Sequence, residues 1–142
     1  MAKVLSIKQP WASLVLPPDW LYQLEGEGQL SLPDGAKLPK DVENRVWDVP
    51  YRGPLIIHAS KVYDFECGLI IPRSAELPKG ALLGIVDLSD ISPTGPINAW
   101  HVDGQFGWIF KNPRRFYNPI PMSGRLGLWE VSDDFIRKEL IS

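Results

Sequence analysis

The chain has 142 residues, enough for one domain and too few for two well-cored ones. Its 44% hydrophobic and 23% charged residues, with a formal net charge of -2, describe an ordinary folded protein and exclude wholesale disorder and a general polyanion binder. No apolar run approaches the roughly 20 residues of a bilayer span, residues 1–8 carry no secretory pattern, and the single cysteine, Cys67, forms no internal disulfide; the sequence therefore predicts a cytoplasmic protein with no membrane partner.

Fourteen prolines, about twice the average usage near 5%, stand beside 12 glycines and favour short strands and constrained loops over long helices. In chain order, residues 3–7 alternate as a strand. Residues 9–16 read as a short helix with Pro10 in its first turn and Pro17-Pro18 as its stop. That first turn, beside Lys8 and Gln9, either serves an anion or merely packs Trp11, Leu14 and Val15. Residues 17–39 are too long for an ordinary connection and read as a surface insertion; Leu30 and Leu32 before Asp34-Gly35 predict a small ribbon within it. Strands follow at 43–49 and 54–59, then a helix at 61–71 and a buried strand at 80–91. Shorter strands are expected at 106–110, 115–120 and 126–131, and a capped helical turn from Ser132 or Asp133. The expected class is α+β, a compact β-barrel with short flanking helices, spanning residues 1–142 as a single domain.

Side chains alternate along a strand, so Glu43, Arg45 and Trp47 share one face and Asn44 and Val46 the other, with Lys40 just upstream. Two readings stand: an ion pair that ties the barrel shut, or the polar floor of a cleft. Further on, His58-Ala59-Ser60-Lys61 gathers an imidazole, a hydroxyl and an ammonium where strand is expected to become helix, with Ser60 as its cap. His58 is there either an acid or base or a hydrogen-bonded structural residue. His101-Val102-Asp103 supplies at most half a metal site, so no metal ligand is assigned and no cofactor is read; a divalent ion remains compatible. From Gln105 to Trp129 the chain has four bases, Lys111, Arg114, Arg115 and Arg125, and no acid, so this segment is +4 and the rest of the chain -6. Its interleaved Phe106, Trp108, Phe110, Phe116, Tyr117 and Trp129 either stack on bases or pack inward.

Three blocks taken together, Ser6-Ile7-Lys8-Gln9-Pro10-Trp11-Ala12-Ser13-Leu14-Val15, Glu43-Asn44-Arg45-Val46-Trp47 and Tyr51-Arg52-Gly53-Pro54-Leu55-Ile56-Ile57-His58-Ala59-Ser60-Lys61, resemble the ASCH domain of the PUA-like superfamily. The later strands, with Gly107-Trp108 and Gly124-Arg125-Leu126-Gly127-Leu128-Trp129, are similar to that family's in the same order. The resemblance implies a PUA-like pseudo-barrel with a cleft between the first helix and the barrel, and RNA, a nucleotide or a modified nucleoside as partner. Lys40, Glu43 and Arg45 keep the family's spacing of lysine, acid and arginine. In the binding role it implies, these three read a ligand's polar edge, Trp11 or Trp47 stacks, and Lys8 and Arg52 take phosphates, while Gln9, Ser60, Lys111, Arg114, Arg115 and Arg125 extend the nucleic-acid contacts.

A hydrolytic role is the alternative. For RNA cleavage, Tyr51, His58 and Lys61 would move protons and stabilise the phosphate. For N4-acylated cytidine, Lys40 would activate water with Glu43 as base; the amidohydrolase branch of the family carries a threonine nucleophile where this chain has Glu43. A third role, a protein-interaction or transcription-coactivator module, uses exposed aromatics and the insertion. Oligomeric state is not legible.

Overall fold

The computed structural model describes residues 1–135. Its elements run β1 (Ala2–Gln9), α1 (Trp11–Val15), α2 (Asp19–Gly26), β2 (Val42–Arg45), β3 (Gly53–Tyr63), a 3-10 turn (Ser74–Glu76), β4 (Ala81–Ser92), β5 (Phe106–Pro121) and β6 (Leu128–Val131). The strands form one sheet in the order β2-β5-β4-β3-β1-β6, in which β1 and β3 are parallel and every other pairing is antiparallel.

Period-two alternation decides which side chains go to which face. Leu5, Ile7, Leu55, Ile57 and Ala59 point to the inner side, where Val86, Leu88, Trp108 and Phe110 meet them and Ala12 and Val15 of α1, with Leu16 just after it, cover them. Their neighbours Val4 and Ile56 point the other way and pack with Leu82, Ile85, Phe116, Trp129 and Val131. A third cluster joins Leu14, Leu21, Val42, Ile71, Leu77 and Trp100, with Leu24, Leu30, Leu32 and Leu38 of the 17–39 segment packed against it. Burying one such leucine or isoleucine is worth about 1.5–3 kcal/mol. Gly84 marks the closest approach of β4 and β5, because a Cβ there would stand 2.3 Å from the Arg114 carbonyl.

Although the sheet is open by its hydrogen-bond ladder, one edge strand reaches across to β1 through a side chain. The β1–β6 pairing stops at Leu5↔Leu128, and the Ser6 carbonyl just beyond accepts from Arg45 Nη2 of β2 at 2.9 Å. The edge strand β2 is thereby joined to β1, which lies next to the opposite edge, and the fold is a small, barrel-like arrangement of the α+β class expected.

Several expected elements differ. Residues 61–71 are not a helix: β3 runs on to Tyr63, and Asp64 then turns the chain, its N–H donating to the Gln9 carbonyl at 2.6 Å and its Oδ1 accepting from Glu66 N. Ser60 therefore lies within a strand and caps no helix. The ribbon expected in the insertion is replaced by α2 and a single bridge, Ser31↔Ile70. The strand expected over 43–49 is confined to Val42–Arg45. The strands expected at 106–110 and 115–120 are one strand, β5, kinked by register shifts against β4 and by Asn112 at φ 51. A helical turn does open at Asp133 with Ser132 Oγ accepting from Asp134 N; its continuation lies outside the described residues. Among the described residues no helix is long and apolar enough to cross a membrane.

Candidate functional site

Between α1 and β2 lies a cavity of about 470 Å³. Lys40, 3% exposed, is fixed from its backbone, whose N–H donates to the Leu14 carbonyl at 2.7 Å. Its Nζ donates to Val42 O at 2.6 Å and to Glu43 Oε1 at 2.7 Å. An ammonium has three N–H donors, so one remains for whatever occupies the cavity that Lys40 lines. Glu43 Oε2 meets Arg45 Nη2 at 2.9 Å, and the same nitrogen holds the Ser6 carbonyl. Arg45 Nε is the buried side-chain donor left without a partner among the described residues. Burial pushes the Glu43 carboxyl upward, but Lys40 and Arg45 overcome this by charge and hydrogen bonding and hold it below the usual carboxylate value. Arg45 thus acts as a clip across the sheet, while Lys40 and Glu43 line the cavity.

The walls come from distant segments. Trp11 lies with its ring centroid 5.7 Å from Lys40 Nζ and donates through Nε1 to Asp64 Oδ2 at 2.9 Å. Asn44 donates to the Trp100 carbonyl and accepts from Val102 N, at 2.9 and 2.7 Å, which fixes its amide orientation and pins the 98–102 segment as the far wall. Trp100 is tied to the insertion by Nε1 donating to Lys37 O at 2.9 Å. Gln105 lines the cavity, and its side-chain amide bonds to no other described residue. Asn44, Asp64, Trp100 and Gln105 were not singled out from the sequence. Asn44 was assigned to the face opposite Glu43, and the other three reach the cavity through contacts no local pattern encodes.

The remaining candidates are dispersed. Gln9 is fully buried and committed to structure: Nε2 donates to Ser13 Oγ and Pro78 O, and Oε1 accepts from Ser13 N. Trp47 packs edge-on against Trp108 with centroids 4.8 Å apart. The Tyr51 hydroxyl donates to Pro54 O, and Arg52 donates to Val49 O and Tyr51 O and pairs with Asp90 at 3.6 Å, so both hold the β2–β3 connection. Within β5, Arg114 pairs with Asp87 at 3.0 Å and Arg115 donates inward to Leu16 O; Lys111 is exposed. The four cations of that segment therefore form no single patch, and of its aromatics only Tyr117 is largely exposed. His58, Ser60, Lys61 and Arg125 meet instead at a second cleft on the other face of the sheet, and Lys8 is exposed on β1 two residues beyond Ser6 of that cleft.

His101 is buried, accepting from Ile97 N at Nδ1 and meeting the Gln105 carbonyl at Nε2, both backbone groups. Among the described residues no three His, Cys, Asp or Glu side chains gather as a metal cage.

No family model matches the chain. It is similar to Activating signal cointegrator 1 from Homo sapiens, 27% identical over 146 aligned positions that cover 89% of this chain and 22% of that protein. The same identity and coverage hold for Activating signal cointegrator 1 from Mus musculus. The chain thus spans about a fifth of the length of the curated relatives it matches.

Proposed function

We propose that the chain is an ASCH-type, PUA-like domain that binds RNA or a nucleotide, with a base seated in the cavity between α1 and β2. The family reading is supported by the ASCH-like sequence blocks and by the similarity to the two cointegrators. One observation carries the ligand reading: a cavity of about 470 Å³ with aromatic walls, Trp11 and Trp100, and uncommitted polar groups, the third Lys40 N–H and the Gln105 amide. A planar base is recognised by stacking and by donor and acceptor groups at its edge, and the cavity offers both.

Binding is favoured over turnover by the state of Glu43. Each of its oxygens is engaged by a cation, so it is poorly placed to take a proton from water. A second reading, an interaction module, draws on the name of the relatives, activating signal cointegrator, and applies to proteins of which this chain spans a part.

Titration with nucleosides, nucleotides and short single-stranded RNA at low salt, followed by tryptophan fluorescence, tests the ligand reading. Gln105→Ala, which breaks no bond between described residues, is expected to weaken binding about tenfold, the effect of one lost hydrogen bond to a buried ligand. No fluorescence response to any of these ligands, or an unchanged affinity in Gln105→Ala, would refute it.

A further inference from the structure

On the face away from α1, the connection from β5 to β6 folds back over β1 and β3. Ser6 and His58 are register partners there, on the side of the sheet that also carries Val4 and Ile56. Trp129 Nε1 donates to Ser6 Oγ at 3.1 Å, Ser6 Oγ lies 3.0 Å from His58 Nδ1, and His58 Nε2 lies 2.7 Å from the Met122 carbonyl. A carbonyl only accepts, so Nε2 carries the hydrogen and Nδ1 receives the Ser6 hydroxyl proton as a hydrogen bond. The ring is held neutral in one tautomer, and burial, against the pull of the Met122 carbonyl, keeps its pKa below the ordinary histidine value. Gly124 is seated directly on this pair: a Cβ there would stand 2.5 Å from His58 Cε1 and 2.8 Å from Ser6 Oγ. The connection is therefore docked on a rigid, uncharged floor.

Above that floor opens a cleft of about 410 Å³, walled by Ser60 and Lys61 on one side and by Ser123, Arg125 and Leu126 on the other. No acid lines it, in a chain with 17 acids and 15 bases. Lys40, Arg45, Arg52, Arg73 and Arg114 all have a carboxylate within ion-pair distance, whereas Lys61 and Arg125 have none among the described residues. The Ser123 hydroxyl likewise has no partner among them. Two cations without carboxylate partners among the described residues, and spare hydroxyls, all bordering one concavity, match the oxygens of a phosphate, which accept hydrogen bonds and carry the opposite charge. Leu126, 99% exposed at the rim, offers an apolar surface for the body that carries the phosphate.

We propose that this cleft is a phosphate-binding site, in which Lys61 and Arg125 supply charge and Ser60 and Ser123 supply hydroxyl donors to a phosphate borne by a nucleotide or by an RNA strand. It lies across the sheet from the base-binding cavity and does not depend on it.

Backbone amide NMR titrations at low salt test the proposal with three probes: uridine, uridine 5'-monophosphate, and a single-stranded oligouridylate of about 8 nucleotides, within the usual range of a single-strand site. The phosphate-bearing probes are expected to shift the amides of Ser60, Lys61 and residues 123–126, and uridine is not. A response to the monophosphate identifies a free nucleotide phosphate as sufficient; a response to the oligomer alone identifies the strand backbone. The double variant Lys61→Gln/Arg125→Gln, which changes two exposed side chains and leaves the floor intact, should weaken binding at this cleft at least about tenfold, and Gln105→Ala should leave it unchanged. Absence of shifts at residues 123–126 with both phosphate probes, equal shifts with uridine, or full affinity in the double variant would overturn it.

Discussion

The Lys40–Glu43 cavity and the Lys61–Arg125 cleft lie on opposite faces of one sheet and manage charge in opposite ways. In the first, a buried acid is clamped between two cations, and one Lys40 ammonium hydrogen and the Arg45 Nε hydrogen are left over among the described residues. In the second, the floor is a neutral Ser6–His58–Trp129 network, and the cations stand outside it without carboxylate partners among the described residues. The difference teaches that the number of charges near a cavity says little about its ligand. What matters is how many of them the protein has already neutralised.

The comparison is broken most forcefully at Glu43. Glu43→Ala leaves Lys40 and Arg45 facing each other without the acid between them, and we expect a loss of about 3–5 kcal/mol in urea denaturation. By contrast, Lys61→Gln/Arg125→Gln should change stability by less than about 0.5 kcal/mol. Similar losses for the two variants would mean that the charges of the first cavity are not structural. Next in size is Gly124→Ala: its Cβ displaces the docked connection, costing about 1–3 kcal/mol, and should abolish phosphate-dependent amide shifts while leaving the other cavity's ligand response intact.

Acid separates the two faces more finely. The folded-state pKa of His58 lies below its ordinary 6.5, so its contribution is complete above pH 6.5 and declines as pH falls from there toward the depressed value. Glu43 is depressed below its ordinary 4.5, so the clamp is fully present above pH 4.5 and is lost only as pH falls through the lower folded value. Stability measured against pH should therefore slope below pH 6.5 in the wild type, less so in His58→Gln. The gap between wild type and Glu43→Gln should close only below pH 4.5. A small effect is expected for Trp11→Phe, which removes the donor to Asp64 and should cost about 1 kcal/mol.

Much of this was legible in the sequence where local pattern and tertiary role agree. The alternation of residues 3–7, the apolar stretch of 54–59 and the nearly unbroken apolar run of 80–91 led to β1, β3 and β4, because those strands are buried on the sheet they belong to. The spacing of Lys40, Glu43 and Arg45 singled out the triad, since a side chain two residues along a strand returns to the same face. Residues 61–71 misled because Val62, Phe65 and Ile70 look like the apolar side of a helix, yet all three are largely exposed. Asp64, the residue that turns the chain there, is recognisable only beside Trp11 and Gln9. The basic segment misled for a different reason. Its register shifts and the left-handed Asn112 send Arg114, Arg115 and Arg125 to separate surroundings, so a cluster in sequence becomes a scatter in space.

Arg45 has an effect on the company the protein keeps with copies of itself. Strand ends that leave carbonyls open are templates on which another chain can build, a route to aggregation that natural sheets obstruct. By reaching from β2 to the Ser6 carbonyl, a single guanidinium occupies one such acceptor where the pairing of β1 with β6 has ended. The same guanidinium that clamps Glu43 thereby also guards a seam.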